Sequence, residues 1–268
     1  MHFKLTEING RIRADAPGFA EECESAFDGK IMLAAQAVAE NTRRSPIVLL
    51  SGPSGSGKTT TAKRIEDALE TLGIRSHSVS LDDYFLPQRE NAFPRAPDGT
   101  PDFESPMCID WPLLNEHFDV LSRGGEVILP RFSFAAQGRV APRRGPLRLG
   151  RGEIVIFEGI HALNTLVTDT HPDAFKLYIS ARSDTADDNG VIVFKGTWTR
   201  LVRRAIRDSL FRATDAPATL AMWANIRRGE KAHISPFKGS ADLILDTAIA
   251  YEIPALRELA ARALSVIP

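Results

Sequence analysis

"SGPSGSGKTT", residues 51–60, follows directly on the apolar run "PIVLL", residues 46–50, and leads into a helical pattern. The spacing Gly52-x4-Gly57-Lys58-Thr59 between a strand and a helix is that of a phosphate-binding loop. Glycines let the backbone curl with positive φ, so that successive N–H groups turn inward toward phosphate oxygens. The expected nucleotide cradle is the run Gly52, Pro53, Ser54, Gly55, Ser56, Gly57, Lys58, Thr59 and Thr60. Lys58 is spaced to reach the outer phosphates, and the Thr59 hydroxyl to ligate Mg²⁺. Thr59 to Leu72 reads as a helix with Ala62, Ile65, Ala68, Leu69 and Leu72 on one face and Gly73 as its stop. Its positive N-terminal end would lie against the phosphates.

Outward from this loop, short apolar runs recur as "RSHSVSL" (75–81), "EIVIFEG" (153–159), "FKLYIS" (175–180) and "DLILDT" (242–247), with helical segments between them. Such a pattern predicts parallel strands joined by right-handed crossovers, an α/β three-layer sandwich around a sheet of about five strands. Ahead of it, Phe3, Leu5, Ile8 and Ile12 alternate around Asn9-Gly10, which predicts a β-hairpin. Phe19 to Asn41 then predicts an amphipathic helix with Phe27, Ile31, Ala34, Ala35 and Val38 on one side. Residues 1–45 are accordingly expected to form a hairpin-and-helix extension on the outside of a P-loop domain spanning 46–268. Within that domain, the Pro/Gly/Arg-rich stretch 85–150 is too long for a plain connection and predicts a substrate-side insert. It is expected to hold one helix N-capped by Asp110, and a β-insert built from "EVILPRFSF" and "GPLRLG" over the sheet edge.

In 268 residues the net charge is −1, which argues against non-specific nucleic-acid binding. The two cysteines, Cys23 and Cys108, have no metal-site spacing and suit a reducing compartment. No signal-peptide pattern or membrane-length apolar run appears, so a cytoplasmic location is expected.

P-loops serve many chemistries, so other residues must decide between them. There is no Asn-Lys-x-Asp guanine signature, and the strand at 153–159 ends in Glu158-Gly159. "SLDDYF" (80–85) closes the second strand, at the carboxyl end of the sheet where ligands gather. A carboxylate there can accept a proton from an attacking hydroxyl. Asp82 and Asp83 are both candidates, and strand alternation lets at most one of them face the cleft. In "RLVRRAIRDSLFR" (200–212), Arg200, Arg203, Arg204 and Arg207 fall at helical spacings of three and four. A solvated face paired to Asp208 is the plain reading. Beside a P-loop and a carboxylate, an arginine-bearing lid over about 182–235 is favoured.

Taken in order, "GPSGSGKTT", "SLDDYF", "FESP", "PRFSF", "IVIFEGIHAL" and "RLVRRAIRDSLFR" resemble the uridine kinase/phosphoribulokinase family of P-loop kinases from about residue 46 to 250. The likeness extends to the uridine-kinase-like module that stands behind a TGS domain in bacterial fusions. It implies transfer of the γ-phosphate of ATP, with Mg²⁺, to a hydroxyl of a small molecule, most nearly the 5′-hydroxyl of a uridine- or cytidine-like nucleoside. By the same resemblance Asp82 is the general base. Thr59 and Glu158, with Asp82 beside them, hold the metal, and Lys58, Arg200, Arg204 and Arg207 face the phosphates. On the substrate side it groups Asp82, Tyr84, Glu104, Phe132, Gln137 and Arg203. Glu104 stands where uridine–cytidine kinases carry an aspartate that binds ribose hydroxyls, whereas Phe132 and Gln137 replace a tyrosine and a histidine around the base, and Met222 replaces a lid glutamine. The partners implied are a nucleoside-like acceptor and neither membrane nor nucleic acid, with a homo-oligomer left open. Two alternatives remain at this level. One is a kinase of the same family acting on another small alcohol or a sugar phosphate, with Arg131, Arg139, Arg143 and Arg144 as added basic groups. The other is a non-catalytic ATP-binding regulator.

Overall fold

The computed structural model describes residues 2–88, 91, 93–134, 136–142, 145–212 and 214–266. Strand β1 (His2–Lys4) runs directly into helix α1 (Leu5–Asn41), so the hairpin expected around Asn9-Gly10 is replaced by helix. The spacing Leu5, Ile8, Ile12 is i, i+3, i+7, which serves a helix as well as alternation serves a strand, and Ile8 is buried on the helix. Helical geometry breaks only at Asp15 (φ −161°, ψ 89°). Pro17 lies just beyond, and the Asp15 carboxylate accepts the Gly18 N–H at 3.0 Å. Asp15 thus acts as a cap for a second helical segment with proline in its first turn.

The chain then builds the P-loop unit. β2 (Ile47–Ser51) enters the loop, and α2 (Lys58–Thr71) leaves it. β3 (Ser76–Ser80) ends in a 3₁₀ turn at Leu81–Tyr84. Helix α3 (Trp111–Ser122) starts at Asp110, whose carboxylate accepts the Leu113 N–H at 3.2 Å, as expected of that cap. The insert then forms two small ribbons rather than one. β4 (Glu126–Val127) and β5 (Phe132–Ser133) are followed by β6 (Gly138–Arg139) and β7 (Leu147–Arg148), with β4 paired to β7 and β5 to β6. After β8 (Ile154–Glu158) come the short helix α4 (Thr165–Thr168), β9 (Phe175–Ser180), β10 (Asp184–Ala186) and β11 (Ile192–Phe194). Helices α5 (Gly196–Phe211) and α6 (Ala216–His233), strand β12 (Leu243–Asp246) and helix α7 (Glu252–Leu264) complete the chain.

The central sheet is parallel throughout, in the order β12-β9-β2-β8-β3. Every residue of β2 and β8 is buried, as expected for strands covered on both faces, whereas edge strand β3 buries only Val79. One face packs Phe118, Leu114 and Leu121 of α3 against Leu49, Val155 and Phe157. The other packs α2 and α1 against Val48, Leu50, Ile156 and Leu177, with Phe27, Ile31, Ala34, Ala35 and Val38 of α1 inside that core. Helix α1 thus shares one hydrophobic core with α2 and that face of the sheet. β1 also pairs in parallel with β10 of the β10–β11 hairpin, so the amino-terminal strand is tied to the segment leading into α5. No helix among the described residues is long and apolar enough to cross a membrane.

Candidate active site

The loop between β2 and α2 takes its shape from glycine where side chains cannot go. Gly55 (φ +73°) lies so close to α5 that a Cβ would sit 2.3 Å from the Arg200 carbonyl oxygen, and Gly57 (φ +87°) starts α2 from the left-handed region. Lys58 folds back to donate to the Gly52 carbonyl at 3.0 Å. The Thr59 hydroxyl donates to Glu158 at the end of β8 at 3.2 Å. Burial lowers the Lys58 ammonium, opposed by Glu158 and Asp82, and burial raises Glu158, opposed by Lys58.

A cavity of about 360 Å³ opens above this loop. Its walls carry Ser54, Gly55, Gly57, Lys58, Thr59 and Thr60 from the loop, Asp82 from the turn after β3, Glu158, and Glu104 from the insert. Arg204, Arg207 and Arg212 close one side. Arg204 donates to the Ser54 hydroxyl at 2.6 Å, and both Arg204 and Arg207 are braced by Asp208. The alternation argument for the two aspartates holds in outcome: Asp82 lines the cavity, while the Asp83 carboxylate accepts the Phe132 N–H at 3.1 Å. Glu104 is half-buried as a residue, yet its Oε2 is enclosed and has no hydrogen-bond partner. Burial pushes its carboxyl up to about 7, against the pull of Arg204 and Lys58.

Thr59, Glu158 and Asp82 share this wall, which fits a Mg²⁺ ion bound partly through nucleotide phosphates. No cluster of three or more His, Cys, Asp or Glu side chains that could hold a metal ion occurs among the described residues.

Several expected site residues lie elsewhere. Arg200 is 1% exposed and does not line the cavity, because its guanidinium is bound bidentately by Glu230 of α6 at 3.0–3.1 Å and donates to the Ser54 carbonyl. Arg203, expected on the substrate side, points to the opposite flank of the loop. It donates there to the Thr247 carbonyl at 2.7 Å and to Glu252 at 2.6 Å. Tyr84 turns into the core, its hydroxyl 2.8 Å from His117 Nδ1. A four-residue 3₁₀ turn separates its direction from that of Asp82. Phe132 does not line the cavity; its ring centroid lies 5.6 Å from that of Phe85, tilted, and 5.2 Å from that of Phe134, edge-on. Gln137 occupies the exposed turn between β5 and β6 with φ 53°. Of the basic insert residues, Arg139 is paired with Asp110 at 2.6 Å, Arg131 lines a separate cavity, and Arg143 and Arg144 lie outside the described residues. His161, just after β8, is buried, and burial holds its imidazole down at about 4.

Phe85, Phe103, Phe134 and Ile160 line the end of the cavity away from the loop and were not singled out from the sequence. The signal was present, since Phe134 lies two residues beyond Phe132 in "PRFSF" and Phe103 beside Glu104 in "FESP". A second cavity, about 400 Å³, adjoins the other flank of the same loop, with Ser56, Arg203, Thr247, Ile249, Glu252, Phe27 of α1 and Leu256 of α7 on its walls.

Residues 47–253 match the model of the phosphoribulokinase/uridine kinase family. The uridine kinase of Deinococcus deserti is 30% identical over 220 residues, which are 81% of this chain and 94% of that protein. Uridine-cytidine kinase B of Dictyostelium discoideum is 26% identical over 200 residues, 74% of this chain and 73% of that one. Among solved structures, one from Silicibacter sp. TM1040 described as a fructose transport system kinase shares the fold. Its TM-score is 0.55 at 21% identity, and the match covers 80% of this chain and 98% of that one.

Proposed function

Because this chain belongs to the phosphoribulokinase/uridine kinase family, we propose that it transfers the γ-phosphate of ATP to a hydroxyl of a small molecule, with the 5′-hydroxyl of a uridine- or cytidine-like nucleoside as acceptor. What carries this reading is the convergence of Asp82, Lys58, Thr59, Glu158, Arg204 and Arg207 on one cavity whose far end is aromatic.

In this reading Lys58 and the loop amides hold the triphosphate, and Thr59 and Glu158, with Asp82 beside them, would hold Mg²⁺. The ion supplies neutralisation of charge on the phosphate oxygens. Asp82 receives the proton of the acceptor hydroxyl. Arg204 and Arg207, prealigned by Asp208, oppose charge on the transferring group. Glu104, its carboxyl pushed up to about 7 by burial, accepts from acceptor hydroxyls when ionised and donates to them when protonated. Phe85, Phe103 and Phe134 offer flat apolar surface to a ring. In this reading the donor's base goes to the second cavity, which adjoins the same loop and has Phe27, Ile249 and Leu256 on its walls. Pairing of Arg139 to Asp110 speaks against a phosphorylated acceptor held by the insert arginines.

The test is a panel of nucleosides, sugar phosphates and other small alcohols incubated with Mg·ATP and scored for ADP release over the acceptor-free rate. Nucleosides are expected to lead. A sugar phosphate or pantothenate-like alcohol outrunning every nucleoside would reassign the acceptor. ATP bound without turnover in the presence of any acceptor would make the protein a nucleotide-binding regulator instead.

A further inference from the structure

Glu104 reaches the cavity from a loop that is clipped along its length to helix α6. Asn225 donates to Asp98, and Arg228 to the buried Asp102 at 2.8 Å. Gly229 lies against Glu104 itself. A Cβ added at 229 would meet Glu104 Cβ at 2.3 Å and Cγ at 3.0 Å. These atoms belong to the root of the side chain, not its flexible end, and Glu104 Cα stands 3.7 Å from the same point. Residues 225, 228 and 229 share one face of the helix, at i, i+3 and i+4. The next residue, Glu230, is the buried partner of Arg200, which donates in turn to the Ser54 carbonyl in the P-loop. Three consecutive residues of α6 therefore join the acceptor loop to the donor loop.

We propose that Gly229 is a positioning residue for the acceptor: the bare helix backbone at this point sets how far the Glu104 carboxyl projects into the cavity, and so which hydroxyl-bearing acceptors fit. This rests on the phosphotransfer reading above. It explains why a glycine sits inside an 18-residue helix, where alanine would favour the helix. A side chain at 229 displaces Glu104 by displacing its backbone. Misplacing a positioning group by about 1 Å can cost up to about 10²-fold in turnover of the affected substrate.

The experiment is Gly229→Ala in the full-length chain, with acceptor and donor KM measured separately. Acceptor KM is expected to rise about tenfold or more and donor KM to stay within about twofold. In a Glu104→Ala background, where the carboxyl is gone, the Gly229→Ala change should add much less to acceptor KM than it does in the wild-type chain. Arg228→Gln, which loosens the loop without adding a Cβ at 229, should raise acceptor KM in the same direction and serves if Gly229→Ala does not fold. A readout independent of turnover is the carboxyl ¹³C NMR titration of Glu104, assigned by loss of its signal in Glu104→Gln. Its midpoint should move by about one pH unit in Gly229→Ala. Should wild type turn over no acceptor at all, the phosphotransfer reading falls, and the Glu104 midpoint alone decides the claim about Gly229. An unchanged midpoint, an unchanged acceptor KM in a folded variant, or effects of Gly229→Ala and Glu104→Ala that multiply would each overturn it.

Discussion

The buried pair between Arg200 and Glu230 allows a prediction opposite to the one its sequence position invites. The Arg200 side chain is 2% exposed and that of Glu230 9%, and three N–O contacts of 3.0–3.1 Å join them. Removing one partner of such a pair costs about 3–5 kcal/mol, because the other charge stays buried without compensation. The two halves are not equivalent. Glu230 also contacts Arg227 of the same helix, so Arg200→Met leaves the carboxylate one cation. Glu230→Gln leaves Arg200 with no buried counter-charge, only neutral groups: the new amide oxygen, the Ser54 carbonyl and the face of Trp223, 5.8 Å away. Glu230→Gln should therefore show the full penalty and Arg200→Met a smaller one, about 2–3 kcal/mol. For a chain of this size about 2–4 °C accompanies each kcal/mol, so Tm should fall by roughly 6–20 °C in Glu230→Gln. Differential scanning calorimetry measures this, and steady-state kinetics on the same samples tests the companion claim. Since Arg200 does not line the cavity, folded Arg200→Met should keep turnover within about tenfold of wild type. Equal destabilisation by the two variants would contradict the asymmetry. Loss of turnover by a factor of about 10³ with Tm unchanged would show Arg200 acting on phosphate after all.

Tyr84→Phe should behave as a core change, destabilising by about 1–3 kcal/mol because His117 Nδ1 loses its buried partner. Acceptor KM should not change, and a rise in KM without loss of stability would return Tyr84 to the substrate side. Glu104→Gln should alter the pH dependence of stability. Folded Glu104 titrates at about 7 against 4.5 for the free side chain, so the folded state binds the extra proton between those values. Its contribution is complete below pH 4.5 and is lost as pH rises to about 7. Denaturation of wild type and variant at pH 4 and pH 8 should show wild type losing on the order of 3 kcal/mol relative to Glu104→Gln. A constant difference across that range would mean an unperturbed carboxyl.

The parallel core was legible because its signals are local and repeated: apolar runs flanked by helical periodicity, and a loop whose glycines have a steric reason. The Asp110 cap and the apolar face of α1 were readable for the same cause. The amino-terminal hairpin was misread because Ile8 and Ile12 suit two periods at once, and Asn9-Gly10 tipped the choice toward a turn. At the site, the P-loop residues followed from motif spacing and Asp82 from its place at a strand end, Glu158 and Glu104 came with the family resemblance, and the aromatic side chains at the other end of the cavity were not foreseen. Spacing on α5 puts four arginines on neighbouring turns, but only the partners Glu230, Glu252 and Asp208 determine which of them line the cavity. Those partners lie on other elements, except Asp208. Tyr84 and Phe132 went astray for a related reason. The turn after β3 is 3₁₀, so three successive side chains fan out to cavity, insert and core rather than alternating.

The central claim is that Asp82 takes the proton from an acceptor oxygen facing the terminal phosphate. It is tested most directly by single-turnover transfer from γ-labelled ATP in wild type and Asp82→Asn, with ATP affinity measured on the same preparations. The account predicts that transfer falls by about 10²–10⁴ while Kd for ATP stays within about twofold. Transfer at the wild-type rate in Asp82→Asn, or a loss that merely follows weakened ATP binding, would contradict it.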